Sequence, residues 1–163
     1  MRITESADLP ASPDEVFATR ATEEFQEEKC ERSSSAEHTV AISQAAGRTV
    51  ITTTRAMPTE SLPDAVRSAV GEHLMIHETQ DWGPANPDGS RFARIDIKVQ
   101  GAPVTLQGTL RLTPTDTGSH QSLEAELKAS IPFLGGKVER AAAPAIKHGF
   151  DLEAQILNEW LTE

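Results

Sequence analysis

Tyrosine is absent from this sequence, and Phe and Trp together make up only 4% of its 163 residues. Any interior is therefore mainly aliphatic. Cysteine occurs once, at Cys30, so no internal disulfide can form and a reducing cytoplasm is the expected compartment. Basic side chains are scarce, 15 Lys and Arg against 25 Asp and Glu, for a formal charge of −10. The resulting field repels nucleic-acid phosphates and anionic membrane surfaces, so nucleic acid is not an expected partner. No run approaches the roughly 20 apolar residues of a membrane span, and Met1 to Ser6 lacks the apolar stretch of a signal peptide. Integral membrane association is accordingly not expected. Apolar content is also low, at 37%. Even so, a folded chain of this length buries about 70% of the surface its unfolded form exposes, and residues 1–163 read as one domain with a substantial core.

Hydrophobic patterning carries most of the remaining information. Ile3, Glu5, Ala7 and Leu9 recur at every second residue and suggest a short first strand. Ser12, Pro13 and Glu15 then stand in capping-box spacing with Pro at the first helical position, and predict a helix start. A second short helix is expected from Thr22 to about Arg32, with Glu23 and Glu24 in its first turn and Lys29 and Arg32 in its last, as the helix dipole favours. Serines 33–35 end it.

From there the period becomes two. Ala36, His38, Val40 and Ile42 alternate with polar neighbours, Ala45-Ala46-Gly47 turns, and Thr49 to Ala56 is rich in β-branched residues, which together predict a hairpin. A helical piece over Asp64–Val70, closed by Gly71, interrupts the strands. Four more are expected at about 72–82, 91–100, 103–113 and 120–131. Their inward sets include Ile95, Ile97 and Val99; Leu106, Leu110 and Leu112; and Leu123, Leu127 and Ile131.

The last segment, Gly135 to Glu163, reads as one long helix of roughly 40 Å. Val138, Ala142, Ala145, Ile146, Gly149, Phe150, Leu152, Ile156, Leu157, Trp160 and Leu161 gather on one face, while Lys137, Arg140, Lys147, His148, Asp151 and Glu159 take the other. A face that broad needs a large partner, and the upstream strands supply a sheet. Short connections between strands and segregated helices define an α+β fold.

This element order resembles the START-like superfamily, also called the helix-grip or SRPBCC group. The residues carrying the likeness are the opening strand followed by Ser12-Pro13-Asp14-Glu15-Val16-Phe17, Leu62-Pro63 before a strand ending in Asp81-Trp82, and Ile131-Pro132-Phe133-Leu134-Gly135-Gly136-Lys137 leading into the terminal helix. Within the superfamily these features are most similar to the domain-of-unknown-function family 2505. The resemblance implies a seven-stranded antiparallel sheet wrapped round the terminal helix, with a hydrophobic cavity between them. It transfers no catalytic residue, because one fold hosts many chemistries.

Several constellations can be weighed directly. His73 and His77 are four apart in a predicted strand, which separates them by roughly 13 Å, so they cannot share an ion and no metal site is expected. Gly135-Gly136-Lys137 lacks the remaining positions of a phosphate loop and reads instead as the release of strand into helix. Cys30 lies near a helix C-terminus, which does not favour a thiolate. Glu153 falls inside the apolar arc of the terminal helix, where a carboxylate is either ion-paired or serves a cavity. Trp82, at a strand end, is either a residue of the cavity mouth or ordinary packing. Gly149 sits mid-helix on the inner face, where a missing side chain leaves room for a ligand or for close approach of the sheet.

The leading expectation is a small hydrophobic or amphipathic molecule bound between sheet and terminal helix by Trp82, Ile146, Gly149, Phe150, Glu153 and Leu157, with no cofactor. A cyclase, dehydratase or hydrolase using the same cavity, with Glu153 as acid or base, is one alternative. A co-chaperone-like interaction module with a collapsed cavity is the other. No motif names a ligand, a reaction or an oligomeric state.

Overall fold

The computed structural model describes residues 1–33, 37–57, 59, 60, 62–70 and 74–163. The elements run β1 (Arg2–Leu9), α1 (Pro13–Arg20), α2 (Glu23–Ser33), β2 (His38–Ala45), β3 (Arg48–Met57), α3 (Asp64–Val70), β4 (Leu74–Trp82), β5 (Arg91–Gln100), β6 (Val104–Thr115), β7 (Gly118–Ala129) and α4 (Gly135–Leu161). The predicted Ala36, Gly71 and His73, and the start of the strand expected from residue 72, lie outside the described residues.

Local chemistry accounts for the element boundaries. Ser12 caps α1 by accepting the Glu15 N–H, and its hydroxyl donates to the Glu15 carboxylate at 3.2 Å, so the N-cap and N3 side chains meet. Thr22 does the same for α2, its Oγ1 accepting the Phe25 N–H at 3.2 Å. Ala46 and Gly47, both at positive φ, close the two-residue turn between β2 and β3.

All seven strands form one antiparallel sheet in the order β1-β7-β6-β5-β4-β3-β2. The chain thus starts at one edge with β1, crosses through α1 and α2 to β2 at the other edge, and comes back through neighbouring strands to β7 beside β1. Along β4 burial alternates without a break, with Leu74, Ile76, Glu78, Gln80 and Trp82 inward. Gly108 in β6 faces Ala125 across the strand pair, and a Cβ there would lie 2.1 Å from the Glu124 carbonyl oxygen. Only glycine lets the two backbones come that close.

The concave face is covered by α4, supported by α1 and α2. Its C-terminal half is embedded: Phe150, Glu153, Ile156 and Leu157 are buried. Its middle is not, because Pro144 and Ala145 are exposed and Ile146 and Gly149 only half-buried. Ala145 and Trp160, expected on the covered face, are corrected to exposed positions; Trp160 leaves the main core to stack edge-on against Phe25 at 5.9 Å and gives its Nε1–H to Glu28. Among the described residues no helix is long and apolar enough to cross a membrane.

Candidate functional site

Lifting the middle of α4 off the sheet leaves a cavity of about 680 Å³. One wall is the apolar inner surface of the strands, including Ile76, Ile95, Ile97, Leu106 and Leu127. The opposite wall is α4 itself, through Ala142, Ala145, Ile146, Gly149 and Phe150. A Cβ built on Gly149 would meet nothing within 4 Å. Close approach of the sheet is therefore not what this glycine accommodates; open space lies beside it. The exposed Pro144, Ala145 and His148 also line the cavity, which places its opening along the middle of α4.

Part of the wall is charged, through Lys29, Arg55, Glu78 and Glu153. Each of these groups arrives by the periodicity of its own element. Arg55 follows Ile51 and Thr53 on the inward side of β3, Glu78 follows Ile76 on β4, and Lys29 lies one helical turn after the buried Phe25. Behind them Arg20, one turn after Val16 in α1, is fully buried.

The five charges alternate in sign. Arg20 donates Nη2 to Glu153 Oε1 at 2.9 Å, and Lys29 Nζ lies 2.6 Å from the other oxygen of that carboxylate. Lys29 also donates to Glu78 Oε2 at 3.0 Å, while Arg55 Nη2 is 3.0 Å from Glu78 Oε1. A ring of contacts closes behind this row. Gln80 donates to Glu78 at 2.7 Å, Trp82 Nε1–H donates to Gln80 Oε1 at 3.0 Å, and the Arg20 guanidinium lies 5.1 Å from the Trp82 ring centre. Arg20 also donates to Gln121 Oε1, and Gln26 donates to the Arg20 carbonyl at 2.8 Å.

Burial alone would push the Glu153 carboxyl up, but the Lys29 and Arg20 charges outweigh it and hold the group below its ordinary value. Glu78 is likewise raised by burial and lowered further by Lys29 and Arg55, with a net fall. Burial lowers Lys29, yet the Glu153 and Glu78 carboxylates carry it above its ordinary value. All three are ionised at neutral pH. Cys30, fully buried beside this cluster, is raised by burial and stays a thiol.

A model of the DUF2505 family, described as a protein of unknown function, matches residues 4–161. The chain belongs to the DUF2505 family. An uncharacterized protein of Mycobacterium tuberculosis is 29% identical over 118 residues, spanning 71% of this chain and 67% of its own length. Among solved structures, a Thermus thermophilus protein superposes with a TM-score of 0.63 at 15% identity, covering 98% of this chain and 95% of its own. The Zhui aromatase/cyclase of a Streptomyces species gives 0.61 at 9% identity, covering 98% and 92%. A STAR-related lipid transfer protein of Xanthomonas axonopodis gives 0.58 at 14% identity, covering 98% and 85%. At these identities the likeness defines the fold, which is START-like helix-grip.

In this DUF2505 member, four of the six residues expected at a ligand site, Ile146, Gly149, Phe150 and Glu153, stand on the cavity wall. Trp82 and Leu157 do not line it; both are fully buried. Trp82 is displaced from the expected cavity mouth because α1 closes that end of the sheet, stacking Phe17 at 5.8 Å and Arg20 on the indole. Leu157 lies deeper along α4, where the helix is embedded. His77 Nε2 lies 2.9 Å from Gln100 Oε1.

Proposed function

We propose that this protein binds a small amphipathic molecule in the cavity between the sheet and α4, as one START-like unit over residues 1–163 working in the cytoplasm. The observation that carries this reading is the open space beside Gly149, in a cavity of about 680 Å³. That size falls within the roughly 300–1,000 Å³ of small-molecule sites, and the combination of apolar walls with a few convergent polar groups is also theirs. Ile146, Gly149 and Phe150 would contact the apolar body, and the charged groups would face the polar end. Lipid transfer by the Xanthomonas relative is in keeping with such a role.

The enzymatic alternative has less support. Glu153 is ionised and engaged by two cations, so it has no proton to give and its basicity is reduced. A collapsed interaction module is also disfavoured by the open space. Titration with fatty acids, sterols and flat polycyclic aromatics, followed by native mass spectrometry, should give a saturable one-to-one adduct with at least one class. Absence of any adduct across all three would overturn the carrier reading.

A further inference from the structure

The row of charges beside the cavity has cations at both ends. In sequence it runs Arg20, Glu153, Lys29, Glu78, Arg55, three positive groups against two negative ones. The two ends differ in what surrounds them. Arg20 is sealed from the cavity behind Glu153, Gln121 and Trp82. Arg55 lines the cavity, with its side chain 16% exposed. It reaches Glu78 through Nη2 and Thr53 through Nη1, the latter at 3.3 Å, so most of its five N–H donors are unused among the described residues. Lys29 repels it, and the one carboxylate it touches is shared with Lys29. Among the described residues the only further titratable side chain on the wall, His148, is on the exposed side along α4.

A planar guanidinium with free donors, only 16% exposed and in a region carrying one surplus positive charge among the described residues, is a receptor for a carboxylate. We infer that the ligand of this cavity is an amphipathic carboxylic acid, bound as its anion with the headgroup on Arg55 and the apolar body along Ile146, Gly149 and Phe150. The inference rests on the carrier reading and specifies its ligand class. The straight-chain and polycyclic acids share this chemistry, so both apolar bodies belong in the test.

The experiment compares headgroups on a fixed body: dodecanoate, dodecanol and dodecylamine, then 1-pyrenebutyrate and its alcohol and amine counterparts, each below its aggregation concentration, with dissociation constants from calorimetry. In at least one series the acid should bind about tenfold more tightly than the alcohol, the value of one charge-assisted hydrogen bond, and the amine more weakly than the alcohol. Arg55→Gln should bring acid and alcohol to within about threefold of each other, chiefly through weaker binding of the acid. Arg55→Lys keeps the charge and should retain part of the preference, and it serves if the glutamine variant does not fold. Acid and alcohol binding alike to the wild type would overturn the inference and leave the carrier reading intact. A preference that survives Arg55→Gln would overturn the placement on Arg55. No binding in either series, with no adduct from the wider panel, would overturn both readings.

Discussion

Replacing Glu153 by Gln keeps the shape of the side chain and removes one negative charge from between Arg20 and Lys29. The native carboxylate lies 2.9 Å from the first and 2.6 Å from the second, with its side chain only 5% exposed. After the change three cations share the single carboxylate of Glu78. The amide oxygen can still accept from one of them, but its NH2 then faces the other, and Arg20 is fully buried with Lys29 only 7% exposed. Breaking a buried pair from one side costs about 3–5 kcal/mol, because the partner is left uncompensated. Against a total stability of about 5–15 kcal/mol that is a large fraction. At about 2–4 °C per kcal/mol for a chain of this size, the melting temperature should fall by about 6–20 °C. Urea melts followed by circular dichroism give the free energy directly, with an unchanged m-value showing that the two end states are preserved. Glu159→Gln is the control: its partner Arg32 and Glu159 itself are 33% and 43% exposed and solvent-screened, so the loss should be far smaller than for Glu153→Gln. A Glu153→Gln variant as stable as that control would refute the reasoning, since it would mean the cluster is hydrated enough to tolerate a surplus of two positive charges.

Three further outcomes are expected. Gly149→Leu projects into open space, so stability should hold or rise by up to about 1 kcal/mol through helix propensity while any cavity ligand is blocked; denaturant melts with and without a bound probe read both. The lowered carboxyls of Glu78 and Glu153 favour the folded state above their ordinary value of 4.5 and lose that contribution as pH falls through their folded values. Thermal melts should thus drop on acidification below that point, and less so for Glu153→Gln. Cys30, fully buried and with its thiol pushed up, should label with a thiol reagent only on unfolding, so its rate in native buffer should rise steeply with added urea.

The strands and α4 were legible because each has a wet side and a dry side. Period two placed Ile95, Leu106 and Leu123 inward, and the helical period placed Val138, Phe150 and Ile156 under α4. The same periods also reach the polar cluster. Continuing Leu74 and Ile76 to Trp82 puts Glu78 and Gln80 on the inner face, and steps of four carry Val16 to Arg20 and Phe25 to Lys29. These positions are easily passed over, since a polar residue within an apolar alternation looks like a break in the pattern. Glu153 stood out because α4 is long enough to define its arc without it. Which cations meet it was not legible, because those contacts join α1 and α2 to α4 across separations of up to 133 residues.

Composition misleads about the same cluster for a related reason. A net charge of −10 describes the field well outside the molecule, and salt reduces that field within a Debye length of about 8 Å. Along the cavity wall the aliphatic side chains screen charges less than bulk water does, so the nearest charges set the local chemistry. Among the described residues of that charged row the balance is reversed, with Lys29 and Arg55 on the wall and Arg20 behind it outnumbering Glu78 and Glu153. An acidic exterior is a sound argument against polyanionic partners that must lie along the surface, such as nucleic acid. It carries little weight against a single carboxylate whose hydrocarbon body follows it into the cavity, because burial of that body and contact with Arg55 both act after the outer field has been crossed.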